Sequence, residues 1–576
     1  MRRTRWLLLL TLLLFVLLTC WLWWLRPTKL DMASYAPADS MLYLEANEPS
    51  QVVETIAGTE AWRAFERAMG TPTRAPQSRW LQHVVEWTGI GPIESVILAR
   101  AQVAAVVTDL GAIEEADTLR IKPEGAVLIE THTSERRIRA PVEQAVKTLA
   151  EKTYGRPTSR RFSIDGVEFI EWSAPEGSRQ IVATIIGSLV IVGNTERVVQ
   201  TCMAVSLGRR PSLKDDVELR RVRLQLARKH DLAFGYVPPA NSARLLAVGL
   251  PLLLGRAPGD TEFQRLITNG AAKIFGSLAW TSRPYLTGIE DQYLITLQPP
   301  IAARLKPSFA VANVNSQLER LLPEDVYSVT SYRFASPATT WLSLKTAVSS
   351  QVDALSTIVF SSLLKSSLLS YGINDPDSFL SAVDGELLTL RLDENGERSI
   401  LIGHVQDRST LRDVFTKKMG LTPRNDQGQQ FETFENAQGE FAASFISDFI
   451  VVGPSADVRR YSGILAVNTE LNAEKLKRIT FFVPSSTAAN IVTYTDDGNR
   501  VRNFISAMIA AKGDPPLTPE RVDAVVAGLP FSVTETTLDD QGIERITRSP
   551  LGQFSSVLPL VVPEQSGPAR TGPDSR

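Results

Sequence analysis

Ser188-Leu189-Val190-Ile191-Val192-Gly193-Asn194-Thr195-Glu196-Arg197-Val198 recurs 260 residues later as Asp448-Phe449-Ile450-Val451-Val452-Gly453-Pro454-Ser455-Ala456-Asp457-Val458. Each stretch is a short apolar strand, a glycine turn and the start of an amphipathic helix. Thr195 or Ser455 stands where a helix N-cap is wanted, its hydroxyl able to accept from an otherwise unpaired backbone N–H. A repeated order of elements exposes the unit of architecture, and the correspondence extends outward from this pair.

Upstream, Ala126-Val127-Leu128-Ile129-Glu130-Thr131-His132 corresponds to Ser399-Ile400-Leu401-Ile402-Gly403-His404-Val405. Each leads through a polar loop into a helix, the first with Val142, Ala145, Val146 and Leu149 at i, i+3, i+4 and i+7. Further upstream, Thr88-Gly89-Ile90-Gly91-Pro92 recurs as Tyr371-Gly372-Ile373-Asn374-Asp375-Pro376. Downstream, Leu232 to Tyr236 matches Asn490 to Tyr494, and Thr287-Gly288-Ile289-Glu290 matches Gln541-Gly542-Ile543-Glu544. The spacing drifts from 284 to 254 residues, as scattered loop deletions produce. Strands joined by tight turns, such as Leu388 to Leu392, Glu394-Asn395-Gly396 and Ser399 to Ile402, predict antiparallel sheet, Asn-Gly being a favoured hairpin turn. The expected fold is α+β: two tandem related modules of antiparallel sheet with amphipathic helices packed on one face.

The other decisive segment is Trp6 to Leu25, an unbroken apolar run of 20 residues preceded by Arg2, Arg3 and Arg5. In a helix it spans about 30 Å, the thickness of a bilayer's hydrocarbon core. A cleaved signal peptide has a shorter apolar region followed closely by small residues; Ser34-Tyr35-Ala36 lies too far on and precedes Pro37. Cys20 cannot open a lipidated chain, because Trp21-Leu22-Trp23-Trp24 follow it. The expectation is therefore a single-pass transmembrane signal anchor, with Trp6, Trp21, Trp23 and Trp24 at the interfaces. The arginines outweigh Arg26 and Lys29, partly offset by Asp31, which keeps the N-terminus cytoplasmic and the body extracytoplasmic.

The expected organisation is a cytoplasmic N-terminus (1–5), the anchor (6–25), a linker (26–35), a first module (36–300), a connection (301–321), a second module (322–556) and a disordered tail (557–576), rich in Pro, Gly, Ser and charge. Cys20 and Cys202 are the two cysteines and allow no disulfide framework. A net charge of −2 with 22% charged residues gives no footprint for nucleic acid.

Ala36-Pro37-Ala38-Asp39-Ser40-Met41-Leu42-Tyr43, Thr59-Glu60-Ala61-Trp62, the Gly-Ile-x-Pro segment before a strand and the Val-Gly turn into a helix resemble the bacterial domain-of-unknown-function family 3352 over most of residues 36–550. The second copy departs at its start, where Leu322-Pro323-Glu324-Asp325-Val326-Tyr327 keeps only Pro-x-Asp. The resemblance implies a membrane-anchored protein of the bacterial envelope and lends no catalytic residues.

Chemistry is sparse along the chain. His83, His132, His230 and His404 form no metal pair at helical spacing, although His132 and His404 fall near equivalent positions of the two copies. Ser362-Leu363-Leu364-Lys365 reads Ser-x-x-Lys, but no Lys-Thr-Gly follows it. Gly89-Ile90-Gly91 lacks a third glycine, and Asp496-Asp497-Gly498-Asn499 lacks the alternating ligands of a calcium loop and reads as a turn. Arg220, Arg221, Arg223, Arg228 and Lys229 lie on a helix with Leu219, Val222 and Leu226 and read as a solvated face, with Asp215, Asp216 and Glu218 offsetting their field. Cys202 reads as a buried small hydrophobe; Trp62, Trp80, Trp87, Trp172, Trp280 and Trp341 read as core. No catalytic, cofactor-binding or metal-ligating residue is nominated, and no cofactor. The leading expectation is a non-enzymatic envelope protein that binds or scaffolds another envelope protein or lipid. A carrier or sensor of an apolar ligand comes second, and an enzyme whose site is assembled from distant residues third.

Overall fold

The computed structural model describes residues 29–69, 100–115, 118–177, 179–226, 231–253, 261–311, 325–352, 354–424, 431–467, 477–482, 488–512, 517–539 and 542–553, with 228, 323 and 484. In the first of the two opening stretches the strand Leu189–Gly193 runs into the helix Glu196–Ser206, and Thr195 caps it by accepting from the Val198 N–H at 3.3 Å. A Cβ on Gly193 would meet Val198 and Val199 side-chain carbons at 2.7 Å, so glycine is what lets the helix close down on the strand. In the second stretch the strand is Phe449–Pro454, and Ser455 is the first residue of the helix Ser455–Val467 rather than its cap.

The strands of the first half are β1 (Leu42–Ala46), β2 (Gln102–Glu115), β3 (Thr118–Glu130), β4 (Thr158–Ile164), β5 (Val167–Ser173), β6 (Gln180–Ile186), β7 (Leu189–Gly193), β8 (Ala233–Val237), β9 (Phe275–Tyr285) and β10 (Gly288–Leu297). Those of the second are β11 (Ser328–Arg333), β12 (Val383–Arg391), β13 (Ser399–Val405), β14 (Thr422–Arg424), β15 (Glu432–Glu435), β16 (Phe441–Ile446), β17 (Phe449–Pro454), β18 (Ile491–Thr495), β19 (Ser532–Leu538) and β20 (Gly542–Ser549). Pairing in the first half runs β4-β5-β6-β7-β3-β2-β1-β8-β9-β10, all antiparallel. The second half pairs in the same order, β14-β15-β16-β17-β13-β12-β11-β18-β19-β20.

Two tandem modules were expected, and here the structure differs. β10 pairs with β20 over eight residue pairs, from Ile289 opposite Ser549 to Thr296 opposite Gly542, which makes one sheet of 20 strands. Gln292 faces Ile546, and the two are separated in the chain by the same interval as Gly288 and Gly542, so the halves meet about a local two-fold axis. The matched glycines sit at the ends of this seam, where a Cβ on Gly288 would strike the Ser549 carbonyl and one on Gly542 the Ile295 carbonyl.

Helices also cross between halves. The helix Glu60–Met69, which follows β1, packs Ala61 and Ala64 against Val501, Phe504, Ile505, Val522 and Val526 of the helices Gly498–Lys512 and Pro519–Val526. In return the helix Pro337–Ser349 buries Ala347 and Val348 with Ile274, Ile301 and Leu305 from the end of the first half. Neither half therefore completes its core alone. Helices cover both faces of the sheet rather than one: Glu196–Ser206 lies over Phe169 and Val182, and Glu135–Tyr154 over Ile170 and Ala183 on the opposite face.

The apolar run Trp6 to Leu25, expected as a transmembrane helix, lies outside the described residues, and among those no helix is long and apolar enough to cross a membrane. The expected N-terminal membrane helix is therefore no part of the architecture described. The tail 557–576 also lies outside it. Between β12 and β13 the link is not a two-residue Asn-Gly turn: Arg391 pairs with Ser399 across a longer loop in which Gly396 has φ +76°.

Polar residues fill the seam. Arg548 donates to Glu290 and to Glu535, each at 2.7 Å, and Arg283 donates to Glu290 at 2.6 Å, an alternating chain of charge across β9, β10, β20 and β19. On the other face of β10, Asp291 accepts from Trp280 Nε1 at 3.0 Å and from the Gln553 N–H at 2.9 Å. Arg548→Met leaves Glu535 and Glu290 without this partner in the interior, and we expect a loss of about 3–5 kcal/mol. Hydrogen exchange along a urea titration should show peptides from both halves losing protection at one shifted midpoint; two midpoints would contradict a shared core. Burial pushes the Asp291 carboxyl up to about 6. The folded chain then holds this proton more tightly than the unfolded chain, so the group's contribution is greatest below about pH 4 and is lost as pH rises through about 6. Urea midpoints of the native chain minus those of Asp291→Asn should fall across that window, and a flat difference would contradict it.

Candidate functional site

A cleft of about 760 Å³ opens where the described chain begins. Its walls come from residues 29–31, the end of β1, the helix Val217–Leu226 and the start of β8. Leu219, Val222 and Leu226 anchor that helix in the core, and the same inward stripe carries Arg223. Its guanidinium donates to Asp31 Oδ1 at 2.8 Å and Glu45 Oε1 at 2.9 Å, and lies 5.1 Å from the centre of the Phe234 ring. Burial opposes the Arg223 charge, but Glu45 and Asp31 raise its pKa overall. Burial raises the Glu45 carboxyl despite Arg223 and despite the Tyr43 hydroxyl, which donates to it at 2.6 Å.

The N-terminal segment is bound to this wall at several points. Gln102 accepts from the Leu30 N–H and donates to the Leu30 carbonyl, both at 2.8 Å, and donates to Asn47 Oδ1 at 2.7 Å. Glu130, buried, accepts from the Tyr35 hydroxyl at 3.1 Å and the His132 N–H at 2.9 Å. Burial and then Glu130 push the Tyr35 phenol up to about 12. Asp31 caps the turn Met32–Ser34, whose Met32 and Ala33 are buried. At the far wall, Asp231 Oδ2 accepts from the Arg228 N–H at 2.7 Å while Oδ1 is buried with no hydrogen-bond partner among the described residues. Burial raises its pKa. Chemically the cleft offers paired charges of both signs beside the apolar Leu30, Leu232, Ala233 and Phe234.

The residues weighed in the sequence disperse. His132 lies past the end of β3 at φ +53°, beside Glu130 and Gln102, whereas His404 lies edge-on to Phe449 with ring centres 5.8 Å apart. They are not equivalents. Leu128 opposes Ile191 and Ile402 opposes Val451, which aligns Glu130 with His404 and moves the sequence match by one residue. Ser362 and Lys365 are both exposed on the helix Ala354–Leu369. Asp496 and Asp497 pair with Arg478 and Arg500 at the start of the helix Gly498–Lys512. The basic run splits: Arg223 turns inward, Arg221 pairs with Glu218 at 2.7 Å, and Arg220 and Arg228 face solvent. Cys202 is buried, its thiol pushed up to about 12 by burial. Trp172 is core, while Trp280 and Trp341 donate to Asp291 and Asp377. His83, His230, Lys229, Trp80 and Trp87 lie outside the described residues, among which no group of His, Cys, Asp and Glu is arranged to hold a metal.

The chain matches no family model and no curated protein. Among solved structures, crystal forms IV and III of TP0453 are similar at a TM-score of 0.23, with 10% and 11% identity. Each alignment covers 50% of this chain, and 88% and 90% of the other. Likeness at that level carries no argument about fold or function.

Arg223→Met removes a group that bonds both Asp31 and Glu45, and a destabilisation of about 3 kcal/mol is expected from the carboxylates it strands. Amide exchange at residues 30–36 should accelerate; unchanged exchange there would contradict the clamp.

Proposed function

We propose that this chain is a membrane-attached, extracytoplasmic protein of the bacterial envelope that binds or scaffolds a neighbouring envelope component. Attachment is through the apolar run 6–25, with Arg2, Arg3 and Arg5 on the cytoplasmic side. The envelope setting rests on the resemblance to the bacterial family named above. One observation carries the reading. The segment just after the apolar run is fixed to the body by Asp31–Arg223, Leu30–Gln102 and Tyr35–Glu130, which leaves almost no slack. A body held in one orientation at a surface suits presentation of a binding face. A flexible tether would suit a freely diffusing catalytic head better.

A second reading, a small polar ligand in the cleft, is favoured by the charged residues Arg223, Glu45, Asp31 and Asp231 that line it. The walls combine Leu30, Leu232, Ala233 and Phe234 with Arg223, Glu45, Asp31 and Asp231, and desolvating those charges disfavours a wholly apolar ligand. Mild crosslinking in native membranes, followed by mass spectrometry of proteins and of extracted small molecules, tests both. The first reading expects a reproducible crosslinked envelope protein. Its absence, together with a copurifying polar compound lost in Asp231→Asn, would replace it with the second.

A further inference from the structure

The helix Val217–Leu226 buries one side and leaves an unusual one outside. Val217 is 72% exposed and Leu224 86%, the latter the most exposed large hydrophobic side chain among the described residues. Seven residues apart, they lie on one stripe of the helix, with exposed Arg220 between them. The acidic residues that would offset Arg220 are mostly turned away. Glu218 accepts from Ser277 and pairs with Arg221, and Asp216 bonds the Glu218 N–H and the Tyr236 hydroxyl. Asp215 alone of the three faces solvent.

The position of this stripe decides what covers it. Arg223 on the same helix grips Asp31, so the helix stands beside Lys29 and Leu30, and Leu30 is itself 42% exposed. Only Arg26, Pro27 and Thr28 separate Leu25 from Lys29. Even fully extended, they place the end of the apolar run within about 14 Å of Lys29.

We propose that the outer stripe of the helix Val217–Leu226, together with Leu30, rests on the lipid surface at which the apolar run ends. Leu224 and Val217 enter the headgroup and acyl boundary while Arg220 meets lipid phosphate. An exposed apolar stripe with a basic residue beside it is the composition of an interfacial helix, and a long arginine can keep its charge at the phosphates while its stem lies over apolar surface. Anionic lipid strengthens the contact. This inference rests on the membrane attachment proposed above.

The test uses the full chain with Cys20→Ala and Cys202→Ala, carrying an environment-sensitive fluorophore at Leu224→Cys or, as a comparison in the other half, Leu342→Cys. The chain is reconstituted into vesicles of phosphatidylcholine and phosphatidylglycerol. The expected result is co-flotation with vesicles, a blue shift at position 224, and quenching there by brominated lipid but not by aqueous iodide, with position 342 still open to iodide. Failure to float overturns the attachment and the stripe contact together. Flotation with position 224 still quenched by iodide overturns the contact and spares the attachment. An equal shift at both positions, or a concentration-dependent shift without lipid that marks a second copy as the occupant, also overturns it.

Discussion

The antiparallel pairing of β10 with β20 is the constraint on which the rest of this molecule depends. Without it the first half would present a ten-residue edge strand and the second an eight-residue one, each with unpaired backbone donors and acceptors, a template for aggregation. With it the two halves become one sheet, and the helices that each half sends across can find their places. The alternating chain Arg283–Glu290–Arg548–Glu535 lies across this seam. Such groups contribute less to net stability than to choosing one partner: a mispaired register leaves buried carboxylates without guanidinium partners.

The sequence was most legible where local chemistry decides geometry. The order strand then helix holds after both Val-Gly pairs, although both glycines are strand residues and Ser455 opens its helix directly after Pro454; at Gly193 the need for glycine is steric. It was less legible where partners are remote. Glu290, Asp291 and Gln292 follow one another in the chain and all three are buried, because their partners come from strands whose relation to β10 no local pattern declares. The expectation of separate tandem modules fails for that reason. The one-residue error in matching Ala126 to Ser399 has another cause. Both stretches read as unbroken apolar runs, Ala126 to Ile129 and Ile400 to Ile402, although Val127 is exposed in the fold, so alternation along the chain offers no way to fix register, and pairing with β7 and β17 does so instead.

The cleft follows the same logic. Arg223 was read as one member of a solvated basic run, although its spacing from Leu219, Val222 and Leu226 places it on the buried stripe of its own helix. That spacing was a usable signal for an inward-facing cation. Its two acidic partners are 192 and 178 residues away in the chain, and nothing local names them. The helix therefore does two jobs on two faces: it holds the first described segment to the sheet and turns its remaining side, with Val217, Arg220 and Leu224, outward to solvent.

The seam also sets a schedule. β10 is complete when residue 297 has been made, but its partner begins only at residue 542. At about 5–20 residues per second, the central strand of the finished sheet waits some tens of seconds on the ribosome with one edge open. During that interval the helix Glu60–Met69 likewise lacks the surface it will cover. A chain built this way needs its nascent first half shielded until its final strand is made, so the fold that removes an edge from the mature protein exposes one throughout synthesis.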